Sequence, residues 1–217
     1  MNDYLLEEIT PFHLTDTVKS AQKVFKNYPI THFPVIENNK LLGSFAEEDI
    51  QVIDNNDEKL ITFSHLLNYF FADEKATVLE LIKIFADNDT NVIPVLNQQK
   101  EYIGYFDLRD VLDVFSTSPF MIEESETLII EKLRNDYSMS QIVQIVESND
   151  GKILGSYISE QNSETIQITI KIVSDEINEI MQTFRRYDYK IISMHENDIY
   201  LEDLKNRSEY LKKYLEM

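Results

Sequence analysis

FPVIENNKLLGSFAEED, residues 33–49, and IPVLNQQKEYIGYFDLRD, residues 93–110, are two renderings of one phrase. Each runs from an apolar-Pro-Val strand through a polar turn to a second strand with a glycine, and closes on an aspartate. The likeness extends outward. At an offset of 60 residues, Thr17 falls on Thr77, Val18 on Val78, Lys23 on Lys83, Phe25 on Phe85, Pro34 on Pro94 and Val35 on Val95. One added residue near Glu101 shifts the frame, after which Gly43 meets Gly104 and Asp49 meets Asp110. So many positions in phase mark an internal duplication, whose units close their core by packing on one another.

The secondary structure follows from periodicity. Val78, Leu81, Ile82 and Phe85 lie on one face of a helix, and Val18, Ala21, Val24 and Phe25 approximate this in the first copy. The apolar runs HFPVI and VIPVL predict strands, the turns ENNK and NQQK reverse the chain, and LLGSF and YIGYF return it. Acids then open a helix in each copy, EEDIQV and LRDVLDVF. Each unit therefore reads helix, strand, strand, helix.

Composition narrows the function. Thirty-nine Asp and Glu against 20 Lys and Arg give a net charge of -19, which repels polyanions and argues against nucleic acid as a partner. The chain has no cysteine, which excludes disulfides, thiolate metal sites and a cysteine nucleophile. The start, MNDYLLEEITP, lacks the cationic and apolar regions of a secretory signal, and no apolar run reaches the ~20 residues that span a bilayer. A cytoplasmic protein that does not enter the membrane is expected. Four scattered histidines offer no metal-ligand spacing, and no nucleophile-base or phosphate-loop motif is present, so no catalytic function is expected.

The order apolar-Pro-Val, polar turn, apolar-apolar-Gly and terminal Asp resembles the CBS domain, which occurs as tandem pairs forming a Bateman module. The resemblance covers about residues 5–118 and implies CBS domains over 1–60 and 61–118. It also implies a site for an adenosine-containing metabolite, such as AMP, ADP, ATP or S-adenosylmethionine, as a regulatory ligand rather than a required cofactor. In that family the Pro-Val strand walls the adenine, and a Gly-x-x-Ser/Thr-x-x-Asp corner holds phosphate and ribose. Carried over, the first site comprises Thr31, His32, Phe33, Pro34, Val35 and Asp49, and the second Asn91, Ile93, Pro94, Val95, Asp107 and Asp110.

The corners depart from the family in one place. Ala46 and Asp107 stand where the hydroxyl residue is expected. Ala46 removes a hydrogen bond worth on the order of 1 kcal/mol. Asp107 opposes a phosphate, since like charges at about 4 Å cost on the order of 4 kcal/mol at an effective dielectric near 20. The first corner is thus expected to suit a phosphate-bearing ligand and the second an uncharged or cationic one. Helix-start chemistry also accounts for these residues: Asp107 as an N-cap with Asp110 near N3, and Ser44 with Glu47 as a capping box.

Residues 120–195 leave the repeat. ETLIIEKL predicts a strand, SMSQIVQIVES a helix with Met139, Ile142, Val143 and Val146 on one face, and KILGSYIS and TIQITIKI a hairpin turning at Gln161, Asn162 and Ser163. A helix bearing Ile177, Ile180, Met181 and Phe184 precedes a last strand, KIISMH. This βαββαβ order predicts an α+β, ferredoxin-like domain over 120–197, and it resembles the ACT domain. The first strand-to-helix loop, Asn135–Ser138, lacks the glycine that the ACT resemblance requires of an amino-acid site. Leu204, Leu211 and Leu215 predict a C-terminal helix over 198–217.

A CBS pair followed by an ACT-like domain is similar to the acetoin-utilisation accessory protein family. The resemblance implies a regulatory homodimer that signals by rearrangement. The alternatives are a ligand-free dimerisation scaffold that docks another protein, and a small enzyme under CBS control.

Overall fold

A computed structural model describes residues 4–193. The chain divides between Ser118 and Pro119 into two compact units.

In the first unit the repeat folds as two matching halves. The first has α1 (Val18–Asn27), β1 (His32–Glu37), β2 (Lys40–Ala46) and α2 (Glu47–Gln51). The second, entered through a 3-10 helical segment (Leu60–Leu66), has β3 (Ala72–Asp73), α3 (Val78–Asp87), β4 (Val92–Leu96), β5 (Tyr102–Asp107) and α4 (Leu108–Ser116). Thr17 and Thr77 cap the helices as their equivalence predicts. Thr77 forms a reciprocal capping box with Glu80, satisfying two backbone N–H groups that the helix start leaves open.

Both hairpins are antiparallel and both slip register at the valine of the Pro-Val pair, opposite Gly43 and Gly104. Each also gains a parallel neighbour from its own half: Phe12 bridges Val35, and Ala72 of β3 pairs with Val95.

The halves then exchange their leading segments. Asn68, which precedes the second half, bridges Ser44 of β2, while Leu6, which precedes the first, bridges Tyr105 of β5. The glycines make room for this. Gly43 and Gly104 have φ +147° and +143°, and a Cβ on Gly104 would stand 2.6 Å from the Leu6 carbonyl oxygen. Only glycine combines that backbone with so close an approach.

The exchange merges the cores. Val92 and Tyr105 of the second half pack with Phe12, Phe25, Phe33 and Phe45 of the first. Phe33 meets the rings of Phe12 and Tyr105 edge-on at 5.4 and 5.6 Å.

The second unit comprises α5 (Pro119–Ile122), β6 (Glu126–Leu133), α6 (Met139–Glu147), β7 (Lys152–Gln161), β8 (Thr165–Val173), α7 (Ile177–Arg186) and β9 (Lys190–Ile191). Its antiparallel sheet has the order β7-β8-β6-β9, that of a split βαβ sandwich. Ile166, Ile168, Ile170 and Ile172 are buried, as strict alternation requires, against Ile142, Ile145 and Val146 of α6 and Ile180, Met181 and Phe184 of α7. Three expectations change. Met139 and Val143 are exposed, and Ile145 takes the inward place on α6. Gln161 ends β7, so the turn is carried by Asn162, whose carboxamide oxygen accepts from the N–H groups of Glu164 and Thr165. The last strand is seen at Lys190–Ile191; Met194, His195 and the C-terminal helix over 198–217 lie outside the described residues.

Candidate functional site

A cavity of about 660 Å³ opens at the first corner. Thr31 and His32 enter it from the head of β1, and Ala46, Glu47, Glu48 and Asp49 from the β2-to-α2 corner. Asn68 and Phe70 come from the crossing segment, and Asp87, Asn88 and Asp89 from the end of α3. Both halves therefore build it.

The walls are acidic. Glu47, Glu48, Asp49, Asp87 and Asp89 line the cavity, and among the described residues no lysine or arginine does. Asp87 is paired with exposed Lys83 at 2.7 Å. Ala46 adds no charge at this corner, but Asp87 and Asp89 arrive from the other half and add two carboxylates. Among the described residues no three carboxylates or histidines converge as a metal site.

His32 has a displaced pKa. Burial lowers it below the ordinary value of 6.5, outweighing the pull of Glu48, Asp49 and Asp89 upward. Its ring meets Phe70 edge-on at 5.6 Å, and its Nδ1 lies 3.2 Å from the Thr31 hydroxyl. The imidazole is therefore neutral at pH 7 and leaves the cavity negative.

This fixes a sign. An unfolded chain takes up the His32 proton near pH 6.5 while the folded one resists, so the contribution is whole above that pH and lost as pH falls below it. Melting temperature should fall from about pH 7 to about pH 5, and His32→Gln should flatten part of that slope. An unchanged slope would contradict the burial of His32.

Thr31, His32 and Asp49 are together in the cavity. Phe33 and Val35 belong to the core of the first half, and Ile93 and Val95 to that of the second; all four are fully buried. Pro34 and Pro94 are buried within the hairpins. The six are thus buried, and none of them lines this cavity. Asn91 is a clasp between the halves. Its carboxamide oxygen accepts from the Thr31 N–H at 2.8 Å, its amide donates to the Pro29 carbonyl at 2.7 Å, and its own N–H donates to the Thr31 hydroxyl.

At the second corner Asp107 caps α4, accepting from the Arg109 N–H at 2.8 Å, and Asp110 stands at N3. Burial, then Asp107 and Asp113, raise the Asp110 carboxyl above its usual range. The expected Ser44–Glu47 capping box is absent. Ala46 is the N-cap of α2 without a side-chain bond, and Glu47 instead donates its N–H to the Thr31 carbonyl at 2.7 Å.

Sequence reasoning missed Asn68, Phe70, Asp87, Asn88 and Asp89. Their copy-mates by offset, among them Asn27, Tyr28 and Pro29 at the end of α1, share no motif with them. The segment exchange brings Asn68 and Phe70 to Asp49, and the end of α3 brings Asp87, Asn88 and Asp89.

Two duplicated hairpin-and-helix halves, crossing into one another with a cavity at the first strand-to-helix corner, define a tandem domain pair. The CBS domain profile matches residues 2–55 and 64–117, and the chain is a CBS-domain-pair protein. An uncharacterized protein of Methanocaldococcus jannaschii is 22% identical over 57% of this chain and 47% of its own length. Inosine-5'-monophosphate dehydrogenase of the same organism is 24% identical over 51% of this chain and 22% of its own. The chain thus spans about half or less of these curated relatives. A Thermotoga maritima CBS domain pair/ACT domain protein is 16% identical with a TM-score of 0.46, covering 52% of this chain and 93% of that one. A CBS domain pair in complex with 5'-methylthioadenosine and S-adenosyl-L-methionine is 19% identical with a TM-score of 0.43, covering 52% and 93%.

Proposed function

We propose that this is a non-catalytic regulatory protein whose CBS pair senses an adenosine-type metabolite carrying positive charge, of the S-adenosylmethionine kind, at the first corner. Membership of the CBS family supports the adenosine class. The cavity supports the charge, because five carboxylates line it beside a neutral imidazole. Asp49 supplies acceptors for a ribose diol, and the Phe70 and His32 rings form an aromatic corner for a base. A triphosphate brings several negative charges against the same walls, and each close pair costs on the order of 4 kcal/mol at an effective dielectric near 20.

In this reading the halves are CBS domains of residues 1–60 and 61–118, and the second unit, 120–197, is an ACT-like domain that reports their state. The protein acts in the cytoplasm as a homodimer, and ligand shifts the populations of its arrangements.

Thermal shift against S-adenosylmethionine, adenosine, AMP, ADP, ATP and cyclic di-AMP tests this. S-adenosylmethionine should raise the melting temperature most, since ligand at 100 times Kd adds about 2.7 kcal/mol, and Asp49→Asn should remove the shift. If none of the six raises it, the pair is a scaffold. If ATP leads, the charge argument is wrong.

A further inference from the structure

The acidic wall of the first cavity stands on a short helix that lacks a side-chain cap. Ala46 offers none, and the first N–H of α2, from Glu47, is instead taken by the Thr31 carbonyl at 2.7 Å. Glu47, Glu48 and Asp49, the first turn of that helix, all line the cavity. Thr31 therefore tethers the wall as well as forming part of it.

Thr31 is itself fixed from the other half. Asn91, its copy-mate at the offset of 60, accepts the Thr31 N–H at 2.8 Å and the Thr31 hydroxyl at 3.2 Å on one carboxamide oxygen. The carboxamide nitrogen donates to the Pro29 carbonyl at 2.7 Å, so the side chain spans the entry to β1. The Asn91 carbonyl in turn accepts the first N–H of α4, from Leu108, at 2.9 Å, the counterpart of the Glu47 bond. Hydrogen bonds thus run from the start of α4 to the start of α2 through Asn91 and Thr31.

Asn91 is not one of the residues that line the cavity. Its three side-chain bonds act on Thr31 and Pro29 alone. Thr31 is exposed, and an exposed group that is ordered before binding spares the ligand the cost of ordering it.

We propose that Asn91 is a positioning residue for the first site: anchored to α4 in the second half, it fixes Thr31 and, through the Thr31 carbonyl, the acidic turn of α2. This rests on the reading of the first corner as an adenosine site. It adds that the affinity of that site is set from the half that does not carry Asp49.

Two measurements on the full chain test it. Without ligand, amide hydrogen exchange should show the Glu47 N–H opening faster in Asn91→Ala than in the wild type, while the α3 amides keep their protection. Asn91→Asp, which keeps an acceptor for Thr31, should restore the Glu47 protection. With S-adenosylmethionine, titration calorimetry of folded Asn91→Ala should give binding about tenfold or more weaker than wild type, although no cavity wall has been removed. A merely structural role would lower stability and leave the affinity of the folded protein unchanged. Asn91→Ser takes the place of Asn91→Ala, with the same expectations, if the latter does not fold. Unchanged Glu47 exchange or undiminished affinity in the folded variant overturns the positioning role. No heat in the wild type overturns the reading of the first corner on which it rests.

Discussion

Gly104→Val should destabilise the first unit by about 3–5 kcal/mol. Two costs act together. At φ +143° an L side chain is strained, and a Cβ would meet the Leu6 carbonyl oxygen at 2.6 Å and the Leu5 side chain at 3.0 Å. The oxygen cannot retreat cheaply, because it accepts the Tyr105 N–H at 2.9 Å and the Leu6 N–H returns the bond to the Tyr105 carbonyl. Relief requires breaking the bridge by which the first half's leading segment crosses onto the second half's sheet. Gly43→Val should cost less, since its nearest atoms lie at 3.0 and 3.1 Å. Urea denaturation of the two variants measures both, and a Gly104→Val loss below about 1 kcal/mol would contradict the crossing.

Phe33→Ala should cost about 3–5 kcal/mol, as truncation of a fully buried aromatic does. The ring is 0% exposed and joins Phe12 of its own half to Tyr105 of the other, so its removal opens a void where the halves meet. Its sequence position suggested a wall for a ligand. Packing and binding roles separate cleanly here: a core residue lowers stability while the folded fraction keeps its affinity for ligand. Near-native stability with lost binding would return Phe33 to the cavity.

Much of the fold was legible because it rests on local chemistry. Duplicate glycines, Thr17 and Thr77 caps, Pro-Val strands and the isoleucine alternation of β8 each write their geometry into neighbouring residues. The site was legible only where it is local, at Thr31, His32 and Asp49. Half of it comes from segments that the sequence gives no reason to place there: Asn68 and Phe70 arrive by the crossing, and Asp87 and Asp89 from the end of α3 in the other half. Those two carboxylates add negative charge to a corner where Ala46 contributes none. The full burial of Phe33, Val35, Ile93 and Val95 was not legible for a related reason. An apolar strand presents two faces, and the sequence does not say that the one carrying these four is covered by helices.

A crystal structure of the chain grown with S-adenosylmethionine tests the central claim most directly. The ligand should lie in the first corner, with its ribose hydroxyls on the Asp49 carboxylate and its base against Phe70 and His32. Ligand density beside Asp110 with the first corner vacant, or no ordered ligand at saturating concentration, would contradict it.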